Sequence, residues 1–241
     1  MTSHVERRAL ITGASSGIGR ATALACAQAG IHLALVSRNQ SRLNAVAQEV
    51  AEYGVKVNVY SVDLLQVAQV RERIGAIAAD MGVVDILVNS AGIGYTSSLA
   101  NTTLEDWQHV LNLNLTSVFQ CIQAVLPQMR QRHRGTIINI ASIAGYQVFP
   151  DWGAYCVSKF GLVALSKTLA VEERVHGIRV VTLSPGAVNT PIWDTNTVQA
   201  NFDRSKMLTP EDVAQSILHT ILMPEHAVVE ELKLMPNVGT F

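Results

Sequence analysis

The stretch Thr12-Gly13-Ala14-Ser15-Ser16-Gly17-Ile18-Gly19 constrains this chain more than any other. An apolar run, Arg8–Thr12, leads into it and an amphipathic run, Gly17–Ala29, leads out. It therefore reads as the turn between a buried strand and a helix. Gly13 permits the sharp turn, Gly17 lets the backbone approach a pyrophosphate, and Gly19 lets the helix pack on the strand. The helix N-terminus offers free N–H groups and positive potential to phosphate. Gly13, Ser15, Ser16, Gly17, Ile18 and Gly19 are thus candidate dinucleotide contacts, although the spacing is GxxxGxG rather than GxGxxG.

The rest of the chain repeats the same alternation. Short apolar runs predict strands at Arg8–Thr12, Ile31–Ser37, Val55–Tyr60, Asp85–Asn89, Gly135–Ile140, Ile178–Leu183 and Val228–Leu234. Most show little polar alternation, as parallel strands buried on both faces should. Helical patterns fall between them, at Gly17–Ala29, Gln40–Glu52, Leu65–Ala79, Thr103–Arg130, Ala154–Val175 and Pro210–Leu222. Strand and helix in strict alternation predict an α/β fold: one doubly wound Rossmann domain over residues 1–241, with a seven-stranded parallel sheet. No linker composition divides the chain.

Composition narrows the function classes. Charged residues make up 15% of the chain, against about 25% in an average domain. That predicts an unusually buried sheet or surface hidden in an oligomer. With 18 basic and 19 acidic residues, the chain lacks the basic excess of a dedicated nucleic-acid binder. No apolar run approaches the roughly 20 residues of a membrane span. No signal-peptide core precedes the first strand, so a cytoplasmic location is expected. Cys26, Cys121 and Cys156 are odd in number and scattered, which fits thiols in a reducing compartment. The histidines show no metal-ligand spacing, so no metal site is expected.

The end of the second strand tests the dinucleotide reading. An enzyme for NAD places an acid there, to accept a hydrogen bond from the ribose 2′-OH. Here the run is Leu35-Val36-Ser37-Arg38-Asn39. Ser37 is small and neutral, and Arg38 can pair with a 2′-phosphate through its planar fork. Arg42 follows as a possible assistant or a solvated helix residue.

Tyr155-Cys156-Val157-Ser158-Lys159 carries the candidate chemistry. Tyr155 and Lys159 stand at i and i+4 on one helix face. A free phenol titrates near 10, too high for acid–base work at neutral pH, and a nearby ammonium is expected to lower it. Such a Tyr can give a proton to a carbonyl oxygen or take one from an alcohol. Ser142 lies just past the strand Gly135–Ile140, at the sheet edge where open α/β folds bind ligands. Its hydroxyl can hold the same oxygen.

These motifs, with Asn89-Ser90-Ala91-Gly92, Asn114 and Pro185-Gly186, resemble the short-chain dehydrogenase/reductase family, in family order over nearly the whole chain. The resemblance implies catalysis by Asn114, Ser142, Tyr155 and Lys159, with Asn114 holding a water that links Lys159 to a proton relay. It implies that Asp63 and Leu64 meet the adenine, and that Asn89, Ala91 and Gly92 pass behind the adenosine ribose. Ser90 stands where the family form has a second Asn. Lys159 would also bind the nicotinamide ribose. Pro185, Gly186, Val188 and Thr190 would surround the nicotinamide. Ser37-Arg38 resembles the NADP-preferring branch, so the cofactor expected is NADP(H). The resemblance also implies a homotetramer.

Candidate substrate contacts are Ile143, Tyr146, Phe149, Trp152, Ile192, Trp193 and Phe202, with Ile93 and Tyr95. They suit a small hydrophobic carbonyl compound or secondary alcohol. The segment 190–207 has no long apolar pattern and reads as a substrate lid. The ending Val228-Val229-Glu230-Glu231-Leu232-Lys233-Leu234-Met235-Pro236 resembles the 3-hydroxy-acid or carbonyl-reductase branch rather than the 3-ketoacyl carrier-protein reductases of fatty-acid synthesis. The latter stand as the alternative. A non-catalytic dinucleotide-binding regulatory protein is the alternative from another class.

Overall fold

The computed structural model describes residues 6–200 and 202–239. The elements run β1 (Arg8–Thr12), α1 (Gly17–Gln28), β2 (His32–Ser37), α2 (Gln40–Ala51), β3 (Val57–Ser61), α3 (Val67–Met81) and β4 (Ile86–Asn89). They continue as α4 (Leu104–Leu111), α5 (Ser117–Arg132), β5 (Gly135–Ile140), α6 (Gly153–Glu173), β6 (Ile178–Pro185), α7 (Pro210–Leu222) and β7 (Glu231–Leu234). The seven strands form one parallel sheet in the order β3-β2-β1-β4-β5-β6-β7. The order reverses between β1 and β4, which opens a crevice at the carboxyl edge.

The continuous apolar runs have a direct explanation. Leu10, Leu87 and Ile137 pack against α3, α5 and α6 on one face. Their neighbours Ile11, Val88 and Ile138 pack against α1, α2 and α7 on the other. Successive residues point to opposite faces, and both faces are covered, so no position along β1, β4 or β5 needs to be polar. The edge strands differ from the sequence reading for the same reason. A strand paired on one side has a weaker pattern, and β3 and β7 begin at Val57 and Glu231, later than the runs suggest.

The run Thr103–Arg130, expected as one helix, is two. A π-helical turn, Asn112–Thr116, joins α4 to α5. Such a turn adds one residue to the helical circuit and shifts the faces that follow, which a 3.6-residue period cannot reveal. It directs Asn114 inward, fully buried. Two helical stretches, Leu104–Arg132 and Gly153–His176, are long and apolar enough to span a membrane by length and composition. The expectation that no run is apolar enough is corrected to that extent. Both stretches pack on the sheet and place Asn114, Tyr155 and Lys159 at the crevice side of the fold.

Candidate active site

The glycine-rich turn is shaped by close backbone packing. Gly13 has φ 67°, and a Cβ there would lie 2.8 Å from the Ala91 backbone. Gly19 sits beneath the turn, where a Cβ would lie 2.3 Å from the Gly13 carbonyl oxygen. Ser16 precedes α1 in an extended conformation, and no side chain caps this helix start. Its first N–H groups therefore face the crevice with their positive potential unspent. Thr190 closes the other side, 3.2 Å from where a Gly17 Cβ would stand.

Ser37, at the end of β2, lies beside Ser15 with the two hydroxyl oxygens 2.8 Å apart. Arg38 and Arg42 both border the cavity. Neither guanidinium has a partner among the described residues. Asn39 caps α2 by accepting from the Arg42 N–H at 2.9 Å, which sets Arg42 in the first turn of that helix. Arg42 therefore joins Arg38 at one end of the cavity.

One cavity of about 970 Å³ runs along the carboxyl edge of the sheet. It is bordered by Gly13, Ser15, Ser16, Gly17, Ile18, Ser37, Arg38, Leu64, Ala91 and Gly92. Ser142, Tyr155, Lys159, Pro185, Gly186, Val188 and Thr190 border the same space. The substrate candidates Tyr95, bonded to Asp106, and Tyr146, under Lys233, do not border it, and four of the cofactor and catalytic candidates also stand back. Gly19 packs behind the turn. Asp63 is exposed and accepts from the Leu65 N–H at 3.1 Å, while Val62 and Leu64 border the cavity. Asn89 is buried and donates to Asn139 across the β4–β5 pair at 2.8 Å. Asn114 lies one layer deeper.

The reactive end is built on β5 and α6. Ser142 follows β5 and accepts from the Ala144 N–H at 3.1 Å, which fixes its rotamer. Its hydroxyl also stands near enough to the Tyr155 phenol to favour the phenolate. Lys159 is 6% exposed. Its Nζ donates to the Ile140 carbonyl at 2.9 Å and stands 5.7 Å from the Tyr155 ring centre. Burial pushes the Tyr155 phenol up to about 12, with the Ser142 hydroxyl pulling the other way. Burial brings Lys159 down to about 8. The ammonium was expected to lower the phenol. Instead, loss of water dominates at both groups and drives each toward its neutral form.

Asn114 is held on three sides. Its Oδ1 accepts from the Ile93 N–H at 2.9 Å, and its Nδ2 donates to the Ile93 carbonyl at 3.0 Å and to Ser158 Oγ at 3.1 Å. Both amide hydrogens are used, leaving one lone pair on Oδ1. That oxygen and Lys159 Nζ face a common gap: a Cβ on Gly92 would lie 3.2 Å from the first and 3.8 Å from the second.

Three supporting residues escaped the sequence reading. Ser158 orients Asn114 and itself donates to the Tyr155 carbonyl at 2.7 Å. Asn139 donates to Ser166 at 2.9 Å and so ties β5 to α6. A polar residue inside the apolar run Gly135–Ile140 was its visible signal. Arg204 binds Asn189 and Asp194 through their side chains and Thr190 through its carbonyl, gathering the segment after β6. Nothing in the local sequence marks it.

Comparison with known proteins identifies the family. Residues 7–201 match the model of the short chain dehydrogenase family. A sepiapterin reductase of Chlorobaculum tepidum is 35% identical over 95% of this chain and 96% of its own. A glycine betaine reductase of Emericella nidulans is 34% identical over 95% of this chain, which spans only 18% of that much longer protein. An alcohol dehydrogenase of the archaeon Thermococcus sibiricus, solved with 5-hydroxy-NADP, is 30% identical and superposes with a TM-score of 0.88. That likeness covers 96% of this chain and 97% of the archaeal one. By the family model over residues 7–201 and the relatives matched over nearly their full length, the chain belongs to the short-chain dehydrogenase family.

Proposed function

We propose that this chain is an NADP(H)-dependent oxidoreductase that interconverts a ketone or aldehyde and an alcohol, with Tyr155 as general acid and base. The observation that carries the reading is the joining of Ser142, Tyr155 and Lys159 to the glycine-rich turn by one cavity. The residues fit the cofactor. The uncapped start of α1 and Thr190 suit a diphosphate, and the unpartnered Arg38 and Arg42 suit a 2′-phosphate. Leu64 would meet the adenine, Ala91 and Gly92 the ribose, and Pro185, Gly186 and Val188 the nicotinamide. When bound, the nicotinamide supplies the hydride for reduction or accepts it in oxidation.

The protein's own part is electrostatic and protonic. Negative charge develops on the carbonyl oxygen during reduction. Ser142 donates one hydrogen bond to that oxygen and Tyr155 delivers its proton. Lys159 holds a positive charge behind the phenol. Asn114 turns its remaining lone pair toward the gap it shares with Lys159, where a water would reprotonate the site. The segment 190–207 would act as the lid. Consumption of NADPH with a panel of ketones, followed by absorbance, tests the reading. NADPH binding without turnover of any ketone, aldehyde or alcohol would overturn it in favour of a regulatory binder.

Arg38→Ala should raise the KM for NADPH about tenfold or more and leave that for NADH unchanged, since one charge-assisted phosphate contact is worth about 1.5–3 kcal/mol. Equal efficiency of the unmutated protein with NADH and NADPH would refute the NADP assignment. We also propose a homo-oligomer. Phe119 on α5 and Val157 and Phe160 on α6 are 40%, 45% and 41% exposed, unusual for apolar side chains on neighbouring helices. Sedimentation at micromolar concentration should give a multiple of the chain mass. A monomer would contradict the proposal.

A further inference from the structure

Beyond Tyr155 the cavity opens into a chamber walled by Ile143, Phe149, Trp152, Ile192, Trp193 and Phe202. Its rings form a continuous edge-to-face chain. Trp152 meets Tyr155 with centroids 5.3 Å apart and planes at 69°. Trp193 meets Trp152 at 5.9 Å and 70°, and Phe202 meets Trp193 at 5.3 Å and 84°. Trp152 and Trp193 border the cavity and are only half-buried. The negative face of one ring attracts the positive edge of another, which a saturated ring does not offer to the same degree.

Local hydrogen bonds orient the two indoles of the chamber. Asp151, immediately before Trp152, has φ 63°, a left-handed conformation that residues other than glycine rarely adopt. The Ser97 N–H donates to the Asp151 carbonyl at 2.7 Å and fixes it there. The Trp193 indole N–H donates to the Val188 carbonyl at 2.7 Å, so its polar atom is satisfied and its carbon ring is left for a guest. Charge sets what the chamber refuses. Asp194 borders it, and its partner Arg204 is engaged with Asn189 and Thr190 as well. The cations bordering the cavity, among the described residues, are Arg38 and Arg42 at the far end and Lys159, which is bound to Ile140. A carboxylate or phosphate beside these rings would meet Asp194, while of those three cations only Lys159 is at this end, behind the Tyr155 ring.

We propose that the substrate is an uncharged aryl ketone or aldehyde, and that Trp152 is the residue that selects its aromatic ring. The aryl group enters the space beside Trp152, Trp193 and Phe202, while the carbonyl oxygen faces Ser142 and Tyr155. This rests on the carbonyl-reductase reading above and narrows it.

The test uses pairs matched in size. Acetophenone is set against cyclohexyl methyl ketone, and methyl benzoylformate against benzoylformate. Turnover is measured with NADPH, and binding of each ketone is measured by tryptophan fluorescence with NADP⁺ present, where no reduction occurs. Acetophenone should exceed the cyclohexyl ketone in kcat/KM by about tenfold, the upper reach of one added aromatic contact. The neutral ester should exceed the free acid by at least as much. Trp152→Leu should bring the aryl-to-cyclohexyl ratio close to one, chiefly through KM, and Phe202→Leu gives the same readout should the first variant fail to fold. A wild-type ratio near one, an unchanged ratio in both variants, or equal use of acid and ester would overturn the proposal. Aryl-selective binding without reduction of any ketone would sink the reductase reading and leave the chamber assignment standing. Reduction of ketones without aryl preference would do the reverse.

Discussion

Tyr155→Phe should lower kcat for ketone reduction by about two to four orders of magnitude, the range of general acid–base catalysis. The substitution keeps the ring that packs against Trp152 and removes only the hydroxyl. NADPH affinity should therefore change little. A variant keeping more than a tenth of wild-type turnover, under conditions where chemistry limits the rate, would rule Tyr155 out as the proton donor. The pH dependence follows from the same burial. A phenol held at about 12 stays protonated across the neutral range. Lys159, held at about 8, is charged below that pH and neutral above it. The charge that supports proton delivery is thus lost as pH rises, and kcat/KM for reduction should be flat toward neutrality and fall above about 8. A profile still level at pH 10 would contradict the role given to Lys159.

Gly19→Ala should raise the NADPH dissociation constant at least tenfold, about 1.4 kcal/mol, and lower the melting temperature. The new Cβ would stand 2.3 Å from the Gly13 carbonyl oxygen and 2.7 Å from its carbon. Both are backbone atoms of the turn itself, so no flexible side chain can yield. Relief requires the turn to move off α1, at an overpacking cost of about 1–3 kcal/mol, and the N–H groups that would face a diphosphate move with it. Gly75→Ala on α3 is the matched control. A Cβ there meets nothing within 4 Å, and replacing a mid-helix glycine should stabilise by about 0.5–1 kcal/mol. Calorimetric titration with NADPH checks both variants. Wild-type affinity in Gly19→Ala would show that the glycine is dispensable.

Much of the framework was legible because its signals are local. A strand buried on both faces is apolar along most of its length, so β1, β4 and β5 announced themselves. Gly13 and Gly19 are required by contacts within the turn itself or with the chain just past β4. Tyr155 and Lys159 share a helix face by spacing alone. The edge strands were less sharp, since one-sided pairing leaves half their positions free to be polar.

What needed the tertiary structure was every property set by distant partners. The resemblance marked Asn114, but the π-helical turn that buries it and the three bonds that orient it join residues from separate elements. The Tyr155–Lys159 spacing suggested a lowered phenol, whereas the closure of β5 and α6 around both groups removes water and raises it. Trp152, Trp193 and Phe202 were legible only as apolar candidates, and their edge-to-face chain exists because the segment after β6 folds back over the start of α6. The sheet, the glycine-rich turn and the Tyr–Lys pair on one helical turn could be read from the chain, because short-range sterics and periodicity specify them. The tertiary structure alone decided burial, proton affinity and the shape of the chamber, because those depend on which side chains exclude water from one another across the fold.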